Sequence, residues 1–261
     1  MTTQRRKSLK VLVIGDACID KYHYGYCDRL SPEAPVPVFR HSHTEEREGM
    51  CFNVANNLVA LGCHVDTFRN IEMIYKERFV DAKTNQHLLR SDFGENNSVE
   101  PLSVAGIKEM DFESYDAVVV SDYNKGFVTS ESAPLISKHC MQSHIPLFVD
   151  SKKRDLSCFE GAIIKINEKE WDQVTRYPHN YELVVTMGAK GASWNNNTYK
   201  TKECEVFDVS GAGDTFLASL VSEYLHTSSF EKAIAFANSC SRVVVQKFGT
   251  YCLKKKDVEQ I

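Results

Sequence analysis

Four consecutive residues, Gly211-Ala212-Gly213-Asp214, carry the densest chemistry in this chain of 261 residues. An apolar stretch at 217–225 follows them and reads as a helix. Two glycines flanking an alanine at a helix start let backbone N–H groups face outward with no Cβ in the way. Together with the helix dipole they make an anion site. A carboxylate beside such a site repels a phosphate unless a proton or a metal ion intervenes. The conflict disappears if Asp214 takes the proton of an attacking hydroxyl while the phosphoryl group rests on the N–H groups. The alternative reading is a glycine turn with Asp214 as a helix cap.

A site of this kind needs rigid elements to hold it. Lys10 to Gly15 (KVLVIG) is a nearly continuous apolar run ending at a Gly-Asp turn, which reads as a strand buried on both faces of a parallel sheet. Residues 117–121 (AVVVS), 146–149 (PLFV), 162–166 (AIIKI) and 183–186 (LVVT) repeat the signature, with helical stretches expected at 53–61, 130–142 and 168–174. Strands alternating with helices indicate βαβ units, hence an α/β fold with a mainly parallel central sheet covered on both faces. Two segments, 22–44 and 74–93, alternate differently and predict antiparallel strands forming a small β-layer beside that sheet. Asn195-Asn196-Asn197 reads as a hairpin turn between 192–194 and 198–202.

Composition narrows the partners. Thirty-one basic against 35 acidic side chains leave a net charge of −4, which argues against nucleic acid or an anionic membrane as a partner. No apolar run approaches the ~20 residues of a membrane-spanning helix, and residues 1–10 (MTTQRRKSLK) lack the apolar core of a signal peptide, so a cytoplasmic protein is expected. The nine cysteines are scattered without a C-x-x-C pair, and most of them read as small buried hydrophobes. His41-x-His43 reads as an exposed strand rather than a metal site. The length fits a single domain over residues 1–261.

Asp208-Val209-Ser210-Gly211-Ala212-Gly213-Asp214-Thr215-Phe216 resembles the C-terminal signature of the ribokinase (PfkB) family of carbohydrate kinases. The resemblance implies a ribokinase-like fold with a β lid, Asp214 as catalytic base, and Gly211, Ala212 and Gly213 as an anion hole. Gly15-Asp16-x-x-x-Asp20 resembles the family's first strand and its sugar-binding Asp, while Asn53 stands where the family has its sugar-binding Asn. Asn167-x-x-Glu170 is similar to a motif associated with Mg²⁺, here through water. Val185-Thr186-x-Gly188-x-x-Gly191 is similar to a nucleotide-side turn, with Asn238 and Gly249 on the adenine side. ATP and Mg²⁺ are the implied cofactors. The run from Arg29-Leu30-Ser31-Pro32-Glu33 to Val38, Ser121-Asp122-Tyr123-x-Lys125-Gly126, and Phe236-Ala237-Asn238 through Lys247-x-Gly249-Thr250 narrow the resemblance to the bacterial heptose 7-phosphate kinases. It implies a sugar or sugar phosphate as substrate and a lid able to clasp into a homodimer.

Several residues keep two readings. Lys125, beside Gly126, is a point charge for a sugar phosphate or an exposed lysine in a turn. Arg29 is a second candidate for that phosphate, or a surface partner of Glu33. Asn167 and Glu170 at i, i+3 face one site or form a capping box. Lys152 approaches phosphates or belongs to a solvated run with Lys153 and Arg154. The chain also departs from the family. After Leu61-Gly62 about one α/β crossover, on the order of 30 residues, is missing. Met50 replaces a glycine after Gly49 and Phe52 enlarges a small-residue turn, and a kinase domain without a fused nucleotidyltransferase domain is expected. These changes lie on the sugar side, so a kinase of another sugar or nucleoside, or a silent sugar- or nucleotide-binding protein, is the competing expectation.

Overall fold

The computed structural model describes residues 8–95 and 99–261. The segment read above for a leader lies mostly at residues 1–7, outside the described residues. The strands are β1 (Lys10–Gly15), β2 (Ala17–Leu30), β3 (Pro37–Met50), β4 (His64–Arg69), β5 (Ile74–Asp81), β6 (His87–Phe93), β7 (Ala117–Asp122), β8 (Leu147–Ser151), β9 (Ala162–Asn167), β10 (Tyr181–Thr186), β11 (Ala192–Trp194) and β12 (Asn197–Tyr199). The helices are α1 (Cys51–Ala60), α2 (Val104–Glu109), α3 (Ser132–Gln142), α4 (Glu168–Trp171), α5 (Ala212–Thr227), α6 (Phe230–Val244) and α7 (Lys255–Val258).

The main sheet runs β12-β11-β10-β9-β8-β7-β1-β4, parallel from β10 to β4, with an antiparallel β11–β12 hairpin at one edge. Successive side chains of β1 face opposite sides. Leu12 and Ile14 pack with Val118, Val120 and Ile136, whereas Val11 and Val13 pack with Leu58, Leu217 and Ile234. Burial on both faces is why these strands read as unbroken apolar runs. The α/β expectation therefore stands as the observed fold.

A second sheet, ordered β3-β2-β5-β6, stands apart from the first. Its two hairpins, β2–β3 and β5–β6, are antiparallel as expected, but β2 and β5 pair in parallel. The topology explains the difference. Strand β2 leaves the main sheet from β1 and β5 leaves it from β4; β1 and β4 are parallel neighbours, so both outgoing strands travel in one direction.

The shortened connection is visible at this point. β4 is an edge strand, and residues 70–73 carry the chain directly from it into β5. Fully buried Asn70 makes the link rigid: its Oδ1 accepts from the Ala17 amide at 2.6 Å, and its Nδ2 donates to the carbonyls of Ala17 and Glu72. At the other junction Met50 adopts φ 57° while its side chain is buried. The replaced glycine thus left a left-handed backbone that Met50 occupies at some strain.

Candidate active site

Helix α5 begins at Gly211, whose φ of 78° turns the chain into the first helical turn. A Cβ there would lie 2.6 Å from Asn53 Nδ2, so with its positive φ this position needs glycine, while one on Gly213 would lie 3.0 Å from Lys165 Nζ. The Ala212 amide turns back onto the Val209 carbonyl at 3.2 Å, contrary to an outward-facing donor. Gly213 and Asp214 are left as first-turn amides without a protein acceptor among the described residues.

Asp214 is 4% exposed. Asn53 Nδ2, from α1, donates to its Oδ2 at 3.0 Å, and the Tyr123 hydroxyl, just beyond β7, donates to its Oδ1 at 2.7 Å. Burial raises the Asp214 pKa; the Asn53 and Tyr123 hydrogen bonds pull it back down, Asp150 raises it, and Lys165 lowers it. A carboxylate held ionised but hard to solvate is suited to accepting a proton.

Near Asp214 lies a network of ion pairs. Lys165, from β9, meets Asp150 of β8 at 2.6 Å; Lys152 Nζ reaches Asp150 at 2.7 Å and Glu170 at 2.7 Å. Burial opposes ionisation of Asp150, but the two ammonium groups hold its carboxyl below the usual range. Lys152 is therefore not part of a solvated run. Asn167 and Glu170 form a reciprocal capping box at α4, with Glu170 N to Asn167 Oδ1 at 3.0 Å and Asn167 N to Glu170 Oε2 at 2.9 Å. The motif's side chains are thus already engaged, and its capping reading is the one the geometry contains. Among the described residues no cluster of three or more His, Cys, Asp or Glu could hold a metal ion directly. The arrangement fits Mg²⁺ only in its hydrated form, since Mg²⁺ keeps several waters and leans on one or two carboxylates plus substrate phosphates.

The second sheet supplies the opposite wall. Asp20 is buried, with Arg78 at 2.5 Å on Oδ1 and the Thr250 hydroxyl at 3.0 Å on Oδ2. Arg47 donates to the Phe248 carbonyl at 2.7 Å, and the Thr250 amide donates to the Tyr22 hydroxyl at 2.9 Å, so the Lys247–Thr250 stretch straps the sheet's root to the body. Gly249 belongs to this strap: its amide reaches Asp208 at 2.9 Å, and a Cβ would strike Arg47. It does not line the nucleotide-side cavity as expected, because the turn faces the second sheet. Register places Arg47, Lys76, Arg78 and Arg90 on the same face as Asp20. Lys125 pairs with Glu95 at 2.8 Å. Arg29 is exposed near the far end of β2, away from Asp20, so the proposed phosphate role does not fit its position.

Thr186, Gly188, Gly191 and Asn238 line one cavity of about 480 Å³, together with Ala212, Gly213 and Phe216. The turn after β10 and the start of α5 thereby share a wall. Four residues at the site escaped the sequence reading: Lys165, Arg78, Thr250 and the chemical role of Tyr123. Lys165 did leave a signal, because a lysine inside the doubly apolar run AIIKI needs a buried counter-ion. Arg78 and Thr250 left none, since their partners lie far away in sequence.

Residues 76–256 match the pfkB family of carbohydrate kinases. The "Bifunctional protein HldE" of Pasteurella multocida is 33% identical over 304 aligned residues, covering 97% of this chain and 63% of that protein. That of Sulfurimonas denitrificans is 31% identical, covering 96% of this chain and 64% of its own length. The chain thus spans less than two thirds of these relatives. The aligned span also exceeds the 261 residues here, so the relatives carry positions with no counterpart in this chain. In fold, Arabidopsis thaliana ribokinase complexed with ribose and ATP is similar with a TM-score of 0.70 at 15% identity, over 97% of this chain and 98% of that one. Escherichia coli phosphofructokinase-2 in complex with potassium reaches 0.74 at 15% identity, over 97% and 98%.

Proposed function

The chain belongs to the pfkB family of carbohydrate kinases, and from that premise we propose that it transfers the γ-phosphoryl group of ATP to a hydroxyl of a small sugar or sugar phosphate, with Asp214 as the base. The observation that carries this reading is the pairing of a buried, doubly hydrogen-bonded carboxylate with two open amides at the head of α5, beside the 480 Å³ cavity. ATP would lie along that cavity, its adenine toward Asn238 and its phosphates on Gly213 and Asp214 N–H. Asp20 and Asn53 would hold acceptor hydroxyls. Hydrated Mg²⁺ would rest near Glu170 and Asn167 and supply charge neutralisation for the phosphates.

A heptose 7-phosphate, phosphorylated at its anomeric hydroxyl, is the proposed acceptor. Support comes from the HldE relatives and from the inner face of the second sheet, where Lys76 lies on the same face as Arg78 and Arg90, each paired with an aspartate (Asp20 and Asp92), and Lys125, paired with Glu95, stands at the rim. In this reading that sheet is the lid, and Leu89 and Phe93, exposed on its edge strand β6, would be covered by a second copy. A cytoplasmic location follows from the need for ATP. Among the described residues no helix is long and apolar enough to cross a membrane.

The test is ADP release from Mg·ATP against a panel of free and phosphorylated sugars, including both anomers of the heptose 7-phosphate. Asp214→Asn should lower kcat by about 10²–10⁴-fold while ATP binding persists. Equal turnover in both proteins removes Asp214 as the base, and bound ATP without turnover on any sugar overturns the kinase reading. The acid limb of the rate should lie above the ordinary carboxylate range, because burial raises the Asp214 pKa and the rate falls as the base is protonated.

A further inference from the structure

We propose that Tyr123 is a positioning residue that keeps Asp214 ionised and aimed inside a pocket that water cannot solvate. The inference rests on Asp214 being the base. Tyr123 is delivered by a clamped loop: Asp122 Oδ1 accepts from the Asn124 amide at 2.9 Å, and Asp16 accepts from the Lys125 and Phe127 amides at 3.1 and 3.3 Å. This also explains the Gly15-Asp16 turn, whose carboxylate braces the far side of the loop. Two ammonium groups lie over the phenol ring, Lys76 of β5 at 5.4 Å and Lys152 at 5.3 Å from its centroid. These contacts restrict the freedom of the ring to withdraw its hydroxyl from Asp214.

The direction of the hydrogen bond is fixed by chemistry. Burial holds the Tyr123 phenol well above its ordinary pKa, with Asp214 and Asp150 adding to the shift, so it stays protonated and donates. The other groups facing the base do not substitute for it. Cys18 from β2 and Cys51 from α1 are neutral thiols, their pKa values pushed up by burial. Asp150 and Lys165, from β8 and β9, act on Asp214 as a mutually paired couple. Among the described residues only Asn53 and Tyr123 donate to the carboxylate directly. Removing a donor from a carboxylate disfavours its ionised form and moves its titration to higher pH.

The experiment is a titration of Asp214 followed by the ¹³C signal of its side-chain carboxyl, assigned by its loss in Asp214→Asn. Tyr123→Phe should move the midpoint upward, and the acid limb of kcat/KM should move the same way on any sugar that turns over. Tyr177→Phe serves as control, since its buried hydroxyl has no hydrogen-bond partner among the described residues and Tyr177 is not among the groups that act on Asp214; it should leave the midpoint in place. If Tyr123→Phe does not fold, a ring-fluorinated tyrosine at 123, a stronger donor, should move the midpoint downward. A midpoint unmoved by either replacement overturns the proposal. The carboxyl titration needs no substrate, so a failed sugar panel and a failed positioning role give separate results.

Discussion

Two aspartate–arginine pairs share strand β2, Asp20 with Arg78 at its root and Asp28 with Arg40 near its tip. The chemistry is the same and the surroundings are not. At the root the two side chains are 9% and 6% exposed, and Thr250 closes the remaining carboxylate oxygen; at the tip they are 59% and 51% exposed. A buried pair cannot exchange its partner for water, so it fixes geometry; an exposed pair can, and fixes little. The second sheet is therefore one ribbon with two characters: a root built like a core and a tip built like a surface.

The largest effect should come from breaking the root. Arg78→Met leaves Asp20 buried with only the Thr250 hydroxyl, and should cost about 3–5 kcal/mol, the range for an uncompensated buried charge. Thermal unfolding would show this as a loss of about 10 °C or more. Adding Asp20→Asn should recover much of the loss by removing the stranded charge. A melting temperature unchanged by Arg78→Met would mean that water already reaches the root and that the contrast with the tip is false.

The same contrast explains what could be read before the structure. The main sheet was readable because double burial writes itself locally as apolar runs, as in KVLVIG and AVVVS. The head of α5 was readable because a Gly-Ala-Gly turn has few backbone uses. The root of the lid was not, since Asp20 meets Thr250 across 230 positions and Arg78 across 58. No periodicity reports such pairings. Gly249 shows the cost of reading a motif without its partners: its backbone requirement was real, but the neighbour that imposes it is Arg47, not a nucleotide. Asn167-x-x-Glu170 was ambiguous for a different reason, because a capping box and a site near hydrated Mg²⁺ use the same residue types at the same spacing.

A smaller effect should follow from loosening the link that brings β5 to the root. Fully buried Asn70 gives both its side-chain ends to backbone groups, bridging Ala17 at the start of β2 to Glu72. Asn70→Ala strands the Ala17 amide and should destabilise the fold by about 1–3 kcal/mol, the penalty of leaving a buried polar group unsatisfied. Chemical denaturation gives the value. Hydrogen exchange at the Ala17 amide should accelerate together with the amides of β5, because that strand pairs with β2 immediately beyond the link. Acceleration confined to Ala17 would show that β5 is held by its own pairing, and that the short connection is not what sets the lid's root.

At the tip the expected change is smallest. Asp28→Ala removes the carboxylate from Arg40, but both groups are more than half exposed, so water replaces the lost partner and the long Arg40 side chain regains its freedom. Net stabilisation from such a pair is about 0–1 kcal/mol and shrinks further as salt screens it. Denaturation midpoints of Asp28→Ala and the parent should therefore nearly coincide and converge at high salt. A loss as large as that of Arg78→Met would require the tip to be buried in solution, and only another surface could bury it. Measured against protein concentration, that loss would then fade on dilution if the surface belongs to a second copy of this chain, because dissociation would expose the pair again.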